Sequence, residues 1–290
     1  MMRAAQARKH AVYVCEAKDL FWKGAVSAPT TRLSLTDNDE DWYRAHQTTP
    51  RPLAGFSAVL MRKDPPFDLE YVVGTWLLSA AVREGARVFN APDAIRDHNE
   101  KLAIAEFARF CAPTLVTREA ARIQAFIDEQ RDVVVKRLDV MGGENVFRVR
   151  HDDPNRNVIV ETISQGGARS VMAQRYIPEI AEGDKRVILI DGKAVPHCLA
   201  RIPRPGESRG NLAAGARGVA QPLSARQREI AAELGPILAK RGLLLVGLDV
   251  IGDYLTEVNV TSPTCFREIQ DQTGFDVAGM FMDALERKVR

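Results

Sequence analysis

The sequence predicts an α/β unit over residues 1–98, followed by an α+β unit of antiparallel strands and helices over 99–290. Three observations predict it. A strand–helix–strand run at βαβ spacing lies between residues 57 and 89. Two strand pairs in the second part turn back at Asp191-Gly192 and Gly252-Asp253. A capping box, Ser224-Ala-Arg-Gln227, opens a long helix between those pairs.

In order, residues 4–9 read as the end of a helix and 11–15 as a strand, while 16–50 are polar with few periodic signals. A short strand over 57–61 runs into Arg-Lys-Asp-Pro-Pro. Prolines suit a first helical turn, so a helix is expected over 67–84, ended by Gly85. A strand over 86–89 completes a βαβ unit, which implies parallel pairing. Residues 99–110 and 118–130 read as helices, the second capped by Thr117. In the second unit, strands are expected over 132–136, 158–162, 171–176, 185–190 and 194–200. A helix runs from Ser224 to Gly242. Residues 243–250 and 254–260 form a hairpin, and a last helix covers 276–288.

Composition narrows the function. Of 290 residues, 46% are hydrophobic and 27% charged, the balance of an ordinary folded domain. Forty Lys and Arg against 38 Asp and Glu leave a net charge of +2, which gives no basic field for nucleic acid or an anionic membrane surface. No apolar run approaches the ~20 residues of a membrane span. Cys15, Cys111, Cys198 and Cys265 form no CxxC, and no signal-type apolar segment follows the basic N-terminus. Reduced thiols in the cytoplasm are expected.

Four constellations carry chemistry. Glu257 and Asn259 lie two apart on one strand, so their side chains share a face that Asp249 can join across the hairpin. Two carboxylates and an amide oxygen are hard donors suited to Mg²⁺ shared with a phosphate. Lys136 ends an apolar β-branched strand and is followed by Gly142 and Gly143, whose amides can approach a phosphate. Lys101, Lys185, Arg186, Arg201 and Arg209 add positive charge. Residues 202–218 form a long loop rich in glycine and arginine, suited to a lid over an anionic ligand. Residues 174–180 end a strand at a proline and offer a backbone edge to an adenine base. GxSxG is absent, and the five histidines show no zinc-ligand spacing.

The runs LMRKDPPFDLEY (60–71), NAPDAIRDHNEKL (90–102), MAQRYIPEI (172–180), GDKRVILIDGKAVPHCLARIP (183–203), SRGNLAAGARG (208–218) and GLLLVGLDVIGDYLTEVNVTSPTCFREI (242–269) closely resemble bacterial glutathione synthetase, an ATP-grasp family. The resemblance covers nearly the whole chain. It implies a pre-ATP-grasp domain over 1–98 and an ATP-grasp domain over 99–290. The implied reaction joins γ-glutamylcysteine to glycine through an acyl phosphate, with ATP and Mg²⁺ (or Mn²⁺), releasing ADP and phosphate. The implied ATP contacts are Lys101, Lys136, Gly142, Gly143, Gln174, Tyr176, Ile177 and Asp184. Asp249, Glu257 and Asn259 would ligate the metal. Arg186, Arg201 and Arg209 would be catalytic, and Arg201, Asn211, Ser262 and Pro263 would meet substrate. The family implies a homotetramer.

Two departures stand out. The family pattern opens with a strand and loop of roughly 25 residues before the helix that starts here at Met1, so a parallel sheet with an exposed edge is expected. The family's Lys-Pro-Leu-Asp-Gly-Met-Gly-Gly reads here as KRLDVMGG, with Arg137 for proline and Val140 for glycine. If position 140 requires φ > 0, valine is strained there and the loop is loosened. The alternative reading is therefore a truncated or degenerate homologue that binds nucleotide without efficient turnover.

Overall fold

The computed structural model describes residues 1–207, 209–212 and 215–290. The chain begins with α1 (Met2–Ala7), β1 (Val12–Val14), β2 (Phe21–Trp22), β3 (Val26–Leu35) and β4 (Tyr43–Pro52). Strands β1, β2 and β4 all pair antiparallel with β3. Burial alternates along β3, as one core-facing side requires, whereas β4 is almost wholly exposed. The polar 16–50 stretch thus holds a long hairpin whose outer strand has no apolar period to read.

The βαβ unit is present as β5 (Val59–Leu60), α2 (Leu69–Arg83) and β6 (Val88–Phe89), with β5 and β6 parallel. The parallel sheet has two strands. The prolines do not sit in the first turn. Asp68 caps α2, its side chain accepting the Tyr71 N–H at 2.8 Å. Tyr71, Leu78 and Ala81 on α2 pack with Val26 and Ala28 of β3 and with Ile95 of α3 (Pro92–Asp97).

Residues Leu102–Phe110 form a 3₁₀ segment rather than the expected α-helix. Then come β7 (Thr114–Thr117), α4 (Ala120–Gln130), β8 (Asp132–Arg137), β9 (Val146–Arg150), α5 (Arg156–Ser164) and β10 (Val171–Arg175). Glu119, not Thr117, is the N-cap of α4; the Thr117 hydroxyl accepts the Glu119 N–H. The strand expected over 158–162 is the helix α5. Its β-branched run favours a strand, but burial falls on Val160, Ile163 and Ser164 while Val158 is 61% exposed, a helical period imposed by packing on the sheet. The sheet order is β7-β10-β8-β9, antiparallel throughout. Val133, Val135, Val171 and Ala173 pack under α4 and α5, which leaves Val134, Lys136 and Gln174 on the opposite face.

The second large sheet contains β11 (Asp184–Ile190), β12 (Lys193–Ile202), β13 (Arg217–Pro222), β14 (Leu245–Ile251) and β15 (Tyr254–Asn259), in the order β13-β12-β11-β14-β15. Between β13 and β14 lies α6 (Ala225–Lys240). It opens with the expected capping box and covers one face through Ile230, Leu234 and Leu238. Helices α7 (Phe266–Thr273) and α8 (Val277–Val289) cover part of the other face, against Ile188 and Ile190. The loop expected over 202–218 is shortened at both ends, since β12 runs to Ile202 and β13 starts at Arg217. Its residues Ser208, Ala213 and Ala214 lie outside the described residues.

Helix α6 and the Asp191-Gly192 turn touch through two glycines. A Cβ on Gly235 would stand 2.1 Å from the Gly192 carbonyl oxygen. Gly→Ala in a helix interior ordinarily gains up to ~1 kcal/mol. Here the backbone collision reverses the sign, and Gly235→Ala should cost about 1–3 kcal/mol, measured by urea denaturation.

Candidate active site

A cavity of about 340 Å³ opens between the β7-β10-β8-β9 sheet and the β13-β12-β11-β14-β15 sheet, and every residue expected at the site lines it except Lys185, which alternation along β11 turns to the other face, where it meets Glu182. The register explains the convergence. Arg186 on β11 pairs with Asp249 on β14, Asp249 pairs with Glu257 on β15, and Asp184 pairs with Arg201 on β12. Alternation then points all of these toward the same face, with Asn259 two residues beyond Glu257.

The charges form a closed set. Arg186 holds both Asp249 oxygens, with Nε to Oδ1 at 2.5 Å and Nη2 to Oδ2 at 3.0 Å. Arg201 Nη2 reaches Asp249 Oδ2 at 2.9 Å and Asp184 Oδ2 at 2.6 Å. Burial opposes the charge on Asp249, but the two guanidiniums hold its pKa well below the usual carboxylate range. Glu257 is likewise opposed by burial and held low by Lys101 and Lys136, at 3.7 and 3.5 Å. Burial lowers the Lys136 ammonium despite that partner. Asp184 goes the other way. Burial first, then the neighbouring Asp249 and Glu257 carboxylates, push it up to about 7 against the pull of Arg201, and its Oδ1 is buried with no hydrogen-bond partner. Gly247 makes room for this network, since a Cβ there would lie 2.8 Å from Arg186 Cδ.

The set fits a divalent cation shared with a phosphate. Asn259 spends its amide hydrogens on Gly247 O and Asp249 Oδ2, both at 3.1 Å, which leaves its oxygen as a donor. Among the described residues, no three His, Cys, Asp or Glu side chains gather at metal-holding spacing, so a cation at Asp249 and Glu257 would draw its further ligands from other oxygens, of which the Asn259 amide is one.

The first sheet supplies Val134, Lys136 and Gln174, together with Tyr176 and Ile177 just beyond the end of β10. Arg148, paired with Asp132, stacks its guanidinium 3.6 Å from the Tyr176 ring centroid and fixes that ring. The described part of the loop borders the cavity. Arg209, Gly210 and Asn211 line the cavity, and a Cβ on Gly210 would meet Asp184 Cβ at 2.8 Å. A Cβ on Gly143 would meet Asn211 Oδ1 at 2.7 Å, so the glycine loop and this loop touch. Arg209 is paired with Glu207 at the surface. Ser262 and Pro263 form the far end, where Ser262 donates to Asp64 and Arg62 donates to the Pro263 carbonyl at 2.7 Å.

Several lining residues escape the sequence reading, among them Asp64, Glu100 and Cys265. The first two lie inside the runs RKDPPFD and HNEKL, where no strand or helix period marks them as sharing a face with the other acids. The strain expected at Val140 is absent. Among the described residues, positive φ falls on Gly142 and Gly143 but not on Val140. In place of the proline's stiffness the loop has contacts: Arg137 Nε holds Asp139 Oδ1 at 2.9 Å and Lys101 Nζ donates to the Val140 carbonyl at 2.7 Å.

Comparison with known proteins decides the family. Residues 1–96 match the family model for the prokaryotic glutathione synthetase N-terminal domain, and residues 100–274 match that for the prokaryotic glutathione synthetase ATP-grasp domain. The chain belongs to the prokaryotic glutathione synthetase family. It is similar to the glutathione synthetase of Ralstonia nicotianae, 61% identical over 99% of this chain and 89% of that protein. It is also similar to that of Nitrosomonas europaea, 56% identical over 100% and 92%. Among solved structures, the D-cycloserine synthetase DcsG aligns with a TM-score of 0.65 at 20% identity over 83% of this chain and 86% of that one, and the ATP-grasp ligase PsnB with 0.63 at 19% over 99% and 93%. At that identity the likeness is one of fold. The activity of the family is ATP-dependent glutathione synthesis, and a degenerate, non-catalytic reading of this chain is not favoured.

The geometry sets two expected outcomes. Between a carboxylate's ordinary value of about 4 and about 7, folded Asp184 keeps a proton that the unfolded chain releases, so its contribution to stability falls as pH rises through that window. Melting temperatures of Asp184→Asn, measured across it, should decline less than those of the wild type. Val140→Gly should give no gain in ATP affinity, because it relieves no strain; a lower Michaelis constant for ATP would show otherwise.

Proposed function

We propose that this cavity activates the C-terminal carboxylate of γ-glutamylcysteine with ATP and delivers the acyl phosphate to the amine of glycine. The observation that carries the reading is the cross-strand set Arg186–Asp249–Arg201 beside Lys101–Glu257–Lys136, all in one cleft. Phosphoryl transfer needs positioning and charge neutralisation rather than a nucleophilic side chain.

In this reading Lys101, Lys136 and the amides of Gly142 and Gly143 hold phosphates. Gln174, Tyr176 and Ile177 meet the adenine, and the orphaned Asp184 oxygen is an acceptor for the nucleotide. Asp249, Glu257 and Asn259 would hold Mg²⁺ (or Mn²⁺), which when bound supplies charge neutralisation at the phosphates. Arg186, Arg201 and Arg209 balance the carboxylate and the transferring phosphoryl group. Asn211, Ser262 and Pro263, with Arg201, orient the dipeptide. The carboxylate oxygen attacks the γ-phosphorus and ADP leaves. The glycine nitrogen then attacks the acyl carbon, phosphate leaves, and the amine gives up its proton. The loop between β12 and β13, which brings Arg209, Gly210 and Asn211 to the cavity, would exclude water from the acyl phosphate.

We also place this activity in the cytoplasm, in a homo-oligomer such as a homotetramer, with residues 1–98 and 99–290 as two domains. Supporting the location, all four cysteines are free thiols. Phosphate release measured with ATP, Mg²⁺ and γ-glutamylcysteine tests the reaction: it should rise when glycine is added, and release indifferent to glycine would refute it. Glu257→Ala should lower turnover about 100-fold or more while leaving the far-ultraviolet circular dichroism unchanged.

A further inference from the structure

Glu100 takes no part in the chemistry above, yet its carboxylate lines the cavity and is held by three donors of one short segment. A single oxygen, Oε1, accepts from Val260 N at 2.8 Å, Thr261 N at 2.9 Å and Thr261 Oγ1 at 2.8 Å. Its backbone carbonyl accepts from Val258 N at 2.8 Å. Residue 100 therefore runs beside the end of β15 like a short extra strand, and its side chain continues the pairing after β15 stops at Asn259. Asn90 completes the clamp from the same part of the chain: its Nδ2 donates to Val260 O at 2.7 Å and to Leu245 O at 2.8 Å. Val260 is thus held at its N–H by Glu100 and at its carbonyl by Asn90.

The chain leaves this clamp at the peptide end of the cavity, Ser262 and Pro263. The residue next to Glu100, Lys101, reaches Glu257 and the Val140 carbonyl at the phosphate end. Two consecutive residues thus tie the two ends of one cleft to the same short segment. Residues held by packing and hydrogen bonds on a rigid element keep a reacting geometry within the fraction of an ångström that catalysis needs.

We propose that Glu100 is a positioning residue: its carboxylate sets the backbone at Val260–Thr261 and thereby registers the peptide-binding turn 262–264 against the phosphate-binding lysines. The proposal rests on the ligase reading of the cavity. Its signature is asymmetric. The adenine end belongs to the other sheet and is not touched by this clamp, so loss of Glu100 falls on the dipeptide and spares the nucleotide.

The test is steady-state kinetics of three variants of the full chain, alongside their melting temperatures. In Glu100→Ala, kcat/KM for γ-glutamylcysteine should fall about 100-fold while KM for ATP changes less than about threefold. Glu100→Gln keeps an acceptor oxygen and should recover kcat/KM to within about fivefold of wild type. Thr261→Val removes one of the three donors and should give a smaller loss with the same asymmetry; with Glu100→Gln it carries the test should Glu100→Ala fail to fold. Equal losses for both substrates that track the melting temperature would reduce Glu100 to a structural role. An unchanged dipeptide kcat/KM would overturn the proposal outright. Wild-type protein without glycine-dependent phosphate release would refute the ligase reading instead, so the two failures are distinct.

Discussion

The structure depends on one constraint, the register of β11, β14 and β15, which stacks charged residues side by side on a surface that is otherwise core. Arg186, Asp249 and Glu257 are direct cross-strand neighbours. A slip of one residue would send all three to the opposite face, among Val187, Leu248 and Val258 under α6. Burying such groups unpaired would cost several kcal/mol each, so the pairs come as a set or not at all. Asp184, Asp249 and Glu257 face Lys101, Lys136, Arg186 and Arg201, with Glu100 close by. Counted formally, those acids and bases are four against four. Such a cleft has little positive charge to spare for a triphosphate, which is the physical reason that a divalent cation belongs in the proposed chemistry.

The two sheets divide the work because their faces differ. In the first, Val133, Val135 and Ala173 anchor the sheet to its helices, so Lys136 and Gln174 are presented on a stiff platform. In the second, the charged face and the apolar face that receives α8 are one surface: Asp184 and Arg186 lead directly into Ile188 and Ile190. The same strand therefore positions the site at one end and secures the fold at the other.

This division also decides what could be read from the sequence. The hairpins at Asp191-Gly192 and Gly252-Asp253, the capping box at Ser224 and the βαβ unit are local signals with local causes, and each was legible. The shared face of Glu257 and Asn259 follows from strand periodicity alone. The β3–β4 hairpin was not legible, because β4 lies on the surface and carries no alternation. Helix α5 was misread because its β-branched residues report intrinsic preference, while burial at Val160 and Ile163 reports the sheet beneath. Glu100 was missed for a related reason: its partners are two backbone amides and a threonine hydroxyl 160 and 161 residues away, and no spacing in the sequence encodes them.

The loop after Lys136 shows why two departures from the family pattern need not weaken the site. Its conformation is set from outside. Asp139 is held by Arg137 and by Arg169, the Leu138 carbonyl accepts from Asn99, the Val140 carbonyl accepts from Lys101, and the Asp139 carbonyl accepts from Phe67 N. Against that many anchors, the stiffness of a proline at 137 adds little. A side chain at 140 is tolerated because the left-handed backbone falls on Gly142 and Gly143 instead. The approach to Asn211 needs a bare backbone at 143 and not at 140. The glycines that matter are therefore the two the chain keeps.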